Sequence, residues 1–220
     1  MMSHVSPEFL LVASVGIAAV PLLIAVGSCY LKFSIVLSLL RSGFGTQQAP
    51  SAALVMGLSL VMSLVVMQPV LSKTTEALSD IQINDLQTTP IKSLIRKGES
   101  VVAPWRSFLL QHSGERELRV FSVLADPTEG QVEQKVNRDQ VSLVTALAAF
   151  VLSEIKKGFT LAFFLLVPFF VIDLIVSNVL VAMGLTMMSP VVVGLPIKLL
   201  LFITSDGWLL LSRSLIRAYQ

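Results

Sequence analysis

Of 220 residues, 54% are hydrophobic and only 14% charged, and the mean hydropathy is +0.81. A soluble globular domain needs roughly 25% charged residues to cover its surface, so most of this molecule must face lipid or other apolar helices. Ten of the fourteen acids and nine of the sixteen bases fall between Lys73 and Asp139; the polar surface is thus gathered into one nearly neutral insert, and nothing points to nucleic acid as a partner.

In chain order, residues 1–8 carry no basic stretch before the first apolar run, which favours a retained first helix over a cleaved signal peptide. That run covers 9–31, with Pro21 placed to kink it. The lone cysteine, Cys29, sits inside it. Without a second cysteine there is no internal disulfide or zinc spacing, and a small buried hydrophobe is the simplest reading. Lys32 follows, then apolar residues 33–40 and Arg41. Ser42-Gly43-Phe44-Gly45 breaks the pattern, and Pro50-Ser51 opens a new helix. Residues 52–71 supply the roughly 20 residues needed to cross a bilayer, with Gln68-Pro69 marking the frayed end.

The insert, 72–140, reads as a small helical subdomain. Its amphipathic candidates are 89–95 and 119–124, and its turns are Ser113-Gly114, Asp126-Pro127 and Glu129-Gly130. Residues 141–151 are apolar and helical and end in the polar stretch 153–158. A full span is expected over 159–183, with Pro168 and Asp173 inside it. Residues 184–190 form a break, and 191–211 a last span interrupted by Pro196, Lys198 and Asp206-Gly207. The organisation is therefore N-terminal apolar helices over 1–71, a polar insert over 72–140, and C-terminal apolar hairpins over 141–220. The fold class is an all-α membrane protein of about four long apolar helices.

Several ions fall where lipid would be expected. An ion at the bilayer centre costs between about 2.5 and more than 10 kcal/mol, so it must face a partner or water. Lys32, Lys156 and Lys157 have stems long enough to snorkel from helix ends, or they can pair. Asp173 and Lys198 have apolar residues on both sides, and a carboxylate stem is too short to snorkel. These two, with Glu154 and Asp206, are the candidates for charge pairs between helices or subunits. A proton path is the weaker idea, since His4 and His112 lie outside the apolar runs.

The break 184–190 is unusual in composition. Met183, Met187 and Met188 cluster around Gly184, where polar residues would be ordinary. Methionine is unbranched and pliable, so copies of this loop around an axis would make a deformable seal. From composition alone, a hydrophobic hairpin turn buried at an interface is the preferred reading. There is no Walker loop, dinucleotide fingerprint, HExxH, GxSxG or cysteine pair; catalysis is not expected, and no cofactor is implied.

Three stretches together resemble the FliP/SctR family of the export apparatus shared by flagella and type III secretion injectisomes. The first is Leu31-Lys32-Phe33-Ser34-Ile35-Val36-Leu37 through Arg41, followed by Gly45-Thr46-Gln47-Gln48-Ala49-Pro50. The second is Phe150 through Lys156 with Phe159, leading to Pro168-Phe169-Phe170-Val171-Ile172-Asp173. The third is Met183-Gly184 through Ser189-Pro190, then Leu195-Pro196-Ile197-Lys198 and Asp206-Gly207-Trp208. The resemblance implies a homo-oligomer, a pentamer, joined by two other small helical export-gate subunits and by the apparatus's switch and export-gate proteins. It implies a bacterial inner-membrane location, a core and insert projecting into the periplasm, and contact with membrane lipid and secreted unfolded proteins. It places Met183, Met187 and Met188 as a channel gasket and uses charged pairs such as Glu154, Asp173, Lys198 and Asp206. Where the family often has a denser methionine run, this chain has Leu185 and Thr186. A start close to the first apolar helix favours the injectisome branch. The preferred expectation is a pore-forming subunit that conducts unfolded protein and performs no chemistry. A small-solute or ion transporter is the alternative; it would call for matching broken helices in the two halves, which differ here. A membrane-embedded enzyme is the third reading, and it lacks a catalytic constellation.

Overall fold

A computed structural model describes residues 14, 25–45, 50–79, 91–125, 138 and 141–220, with backbone alone over 91–97. The chain is all-α: seven helices and no strand among the described residues. They are α1 (Tyr30–Gly43), α2 (Ala52–Ser79), α3 (Ile91–His112), α4 (Glu115–Ala125), α5 (Leu143–Ala182), α6 (Pro190–Thr204) and α7 (Gly207–Arg217). Helices α2 and α5 are long and apolar enough to cross a membrane. The pair α6 and α7, bent by 61°, would count as a third span if taken together. The fourth expected span, 9–31, lies mostly outside the described residues.

Helix α1 is the central strut. Phe33, Val36, Leu37 and Leu40 recur at helical spacing and are buried, packed between α5 and α2. At its start, Cys29 lies with its sulfur 3.4 Å from Ser63 Oγ of α2. The small residues Ser59 and Ser63 on α2 are buried and allow that close approach. At its far end Gly43 packs on Leu166 and Phe169 of α5, where a Cβ would overlap the Leu166 side chain. Phe44 then joins Phe169, Phe202 and Trp208 in an aromatic cluster, with successive ring centroids 5.0–5.3 Å apart along Phe169–Phe44–Phe202–Trp208. This cluster ties the end of α1 to α5, α6 and α7.

Two boundaries differ from the sequence expectation. Helix α2 does not fray at Gln68-Pro69 but continues to Ser79. Pro69 frees one carbonyl, yet the polar continuation keeps its hydroxyls on the helix: Thr74 Oγ1 donates to Val70 O at 2.8 Å, and Thr75 Oγ1 to Ser72 O at 2.8 Å. Likewise α5 does not break at 153–158. It runs unbroken for 40 residues from a Ser142 N-cap, whose hydroxyl accepts from Thr145 N at 3.1 Å. The polar residues that suggested a break each find a protein partner there, so the backbone has no reason to turn. A helix of that length spans about 60 Å, twice the roughly 30 Å of a hydrocarbon core. Its first half carries the insert and its second half is apolar around most of its circumference.

The insert candidates are longer than expected too. Of the first candidate, 91–95 fall in α3, with 89–90 outside the described residues, and 119–124 fall in α4; the two helices meet at the anticipated Ser113-Gly114 turn. The turns at Asp126-Pro127 and Glu129-Gly130 lie outside the described residues. Helix α3 packs on α2 and α5, and α4 packs on α5.

Candidate functional site

Two ionic sites hold the two ends of α1. At the first, Glu154 of α5 is fully buried. Its Oε2 lies 3.0 Å from Lys32 Nζ and also accepts from the Tyr219 hydroxyl, while Oε1 accepts from Lys157 Nζ at 3.2 Å. Lys157 also donates to His112 O, the last residue of α3, at 2.6 Å. Lys32 does not snorkel: its side chain is only 4% exposed, and its ammonium sits 3.9 Å from the Tyr219 ring centroid. A carboxylate with three donors is well compensated, which burial of a charge requires.

At the second site, Lys198 of α6 is 1% exposed and donates to Asp173 Oδ2 of α5 at 2.7 Å. It also donates to Gly43 O at 3.1 Å. That carbonyl belongs to the last turn of α1, which has no intrahelical partner, and a cation there complements the helix dipole. Asp173 Oδ1 is buried and accepts no hydrogen bond from the described residues. It lies 3.1 Å from where a Cβ on Gly194 would stand, so the glycine leaves the carboxylate room.

Asp206 lies elsewhere. It is the exposed hinge residue between α6 and α7, with φ 50° and no side-chain cap bond. Among the described residues it makes no ion pair. The left-handed backbone is one that aspartate tolerates better than most residues.

The methionine loop is locally well defined. Gly184 has φ 74° and closes α5 with two backbone bonds, Gly184 N to Val181 O at 3.0 Å and Leu185 N to Leu180 O at 2.9 Å. This is the paired Schellman closure, which places glycine at the left-handed position. Beyond it Met187 is 100% exposed, with Met183 at 66% and Met188 at 49%. In the isolated chain these side chains project from the fold rather than filling its core.

The insert is docked on the first half of α5 by a third group of contacts, which the sequence reading did not single out. Gly114 N donates to Ser153 Oγ at 2.8 Å, and Lys156 Nζ to Glu117 Oε1 at 3.0 Å. The Lys156 ammonium holds Glu117 below the usual carboxylate range. Burial pushes the His112 imidazole below its ordinary value. Arg106 closes the base of the insert, donating to Val141 O through Nη2 at 2.7 Å and Nε at 3.2 Å. Among the described residues no cluster of His, Cys, Asp or Glu could hold a metal ion.

The fold and its ionic sites define an all-helical membrane protein whose apolar helices are tied together by buried ions. The FliP family model matches residues 12–215. The chain is 38% identical to the surface presentation of antigens protein SpaP of Shigella flexneri, over 90% of each chain. It is 39% identical to the Yop proteins translocation protein R of Yersinia pestis, over 90% of each, and 36% identical to the harpin secretion protein HrcR of Erwinia amylovora, over 93% of this chain and 92% of that one. The chain therefore belongs to the FliP family, the inner-membrane export-apparatus proteins of type III secretion.

Proposed function

We propose that this chain is a structural, pore-forming subunit of the export gate, conducting unfolded proteins across the bacterial inner membrane without performing chemistry. The observation that carries this reading is the methionine loop: a rigidly closed helix end presents Met183, Met187 and Met188 to the outside of the fold. Several copies around one axis, a pentamer joined by the two other small helical export subunits, would bring these thioethers together. They would exclude water and still yield to a polypeptide, because an unbranched side chain re-packs where a β-branched one cannot. Leu185, 40% exposed, would add an apolar neighbour to the ring. In this reading the polar insert stands on the periplasmic side, 1–71 and 141–220 supply the apolar body, and the Glu154 and Lys198 sites keep each copy stiff while the loop flexes. Asp206, which makes no ion pair among the described residues, is left to meet a neighbouring subunit.

The test is closed-state conductance of the reconstituted complex. Met187→Ala with Met188→Ala removes volume from the ring and leaves the Gly184 closure untouched. The assembled double variant should leak ions or small solutes. Unchanged conductance in an assembled complex would place the barrier elsewhere.

A further inference from the structure

Tyr219 lies after α7 and beyond the residues that the family model matches, and the pore reading makes no use of it. Three helices, α1, α3 and α5, meet on its side chain. Its hydroxyl donates to Glu154 Oε2 of α5, the oxygen that also faces Lys32 of α1. The Lys32 ammonium lies 3.9 Å from its ring centroid. Phe33 of α1 meets the ring edge-on at 5.8 Å, while Phe108 and His112 of α3 lie at 6.0 and 5.0 Å. Burial and the neighbouring Glu154 charge push the phenol well above its ordinary range, so it stays a donor.

Ring packing alone would account for the aromatic contacts. It does not account for the hydroxyl being aimed at a fully buried carboxylate, nor for Lys32 sharing both the carboxylate and the ring. Without the hydroxyl, Oε2 keeps a single donor. Without the ring, the Lys32 ammonium loses its cation–π face in a site closed to water.

We propose that Tyr219 is the positioning residue of the buried Lys32–Glu154 pair. Through it, the segment after α7 locks the α3–α4 hairpin onto the junction of α1 and α5. This inference is independent of the pore reading and would survive its failure.

The chain carries its own reporter. Cys29, the single cysteine, is fully buried one turn before Lys32 at the seam of α1 and α2. Its alkylation by N-ethylmaleimide, measured on the full chain in mild detergent, reads local opening of that seam; a Cys29→Ser control fixes the background. Tyr219→Phe keeps the ring and removes only the hydroxyl. Loss of a hydrogen bond to a charged group should raise the alkylation rate about tenfold or more. In a Glu154→Gln background, the same Tyr219→Phe change should add severalfold less, because a neutral amide oxygen replaces the charged acceptor. Should the amide variant fail to fold, Glu154→Asp, one methylene short of the hydroxyl, replaces it with the same expectation. A wild-type rate in Tyr219→Phe overturns the proposal. So does an equal increase with and without the native carboxylate, which would make the hydroxyl's effect independent of the pair.

Discussion

At the scale of single residues, the Lys198 site is the sharpest case of charge placed in an apolar setting. Lys198→Met removes the ammonium and leaves Asp173 and the Gly43 carbonyl without their donor. Breaking a buried pair typically costs about 3–5 kcal/mol. The Asp173 side chain remains 24% exposed, so partial hydration should hold the loss near the lower end. A second change, Asp173→Asn, should recover part of it, and the midpoints of thermal unfolding in detergent measure both. No recovery would mean that Asp173 is not the group that needs Lys198. Glu117 gives a milder, pH-dependent contribution. Its folded-state pKa lies below the ordinary value because of the Lys156 hydrogen bond. The stability it contributes is present above the ordinary carboxylate range, near pH 4.3, and is lost as pH falls through the lowered folded value. Lys156 is 63% exposed, so solvent screening keeps the contribution below about 1 kcal/mol. Wild type should therefore melt slightly above Glu117→Gln at neutral pH, and the two curves should converge under acid; parallel curves down to low pH would count against the pairing.

At the scale of elements, what could be read in advance tracks what is local. The Ser113-Gly114 turn, the start at Pro50-Ser51 and the break at Gly184–Pro190 all follow from residues within a few positions of one another. The continuity of α5 does not. Ser153, Glu154, Lys156 and Lys157 look like a helix end until their partners are known. Those partners are Gly114, Lys32 with Tyr219, Glu117 and His112, dozens of residues or more away. The same holds for the ionic sites: the sequence marks Asp173 and Lys198 as ions within apolar helices, but only geometry says which of three acids lies nearest Lys198. Tyr219 gave no signal, since one tyrosine near Arg217 reads as an ordinary interfacial residue. The docking turn offers a test at this scale. Glu117 Oε2 occupies the space a Cβ on Gly114 would need, so Gly114→Ala must shift the carboxylate whose other oxygen holds Lys156. Protease cleavage within the insert should accelerate severalfold, because the hairpin loses its anchor on α5. Unchanged cleavage would mean that the apolar contacts of Phe108, Leu109 and Leu118 hold the hairpin by themselves.

At the scale of the whole molecule, the exposed surface sets the strongest demand. Leu54, Leu60 and Leu64 on α2, Phe163, Phe164 and Leu174 on α5, and Leu200 and Ile203 on α6 are all more than half exposed. Surface of this extent needs lipid or protein against it. The prolines favour protein. Pro168 and Pro196 stand inside α5 and α6, and neither can donate to the carbonyl four residues earlier, at Phe164 and Val192. An unsatisfied carbonyl in hydrocarbon costs several kcal/mol, and both of these residues are 69% exposed in the isolated chain. A neighbouring subunit can supply donors and apolar contact together, whereas lipid supplies only the second. The chain purified in mild detergent with its co-expressed export subunits should therefore run as a particle several times its 23.9 kDa mass, and native mass spectrometry should resolve repeated copies of it. Disrupting Lys198 or Glu154 should lower the yield of that particle before it alters the helix content, because the ionic sites set the angles at which α1, α5 and α6 present their apolar faces. Only monomer, under conditions that keep related export complexes intact, would mean that lipid alone covers these faces and that the helix breaks are satisfied within the chain.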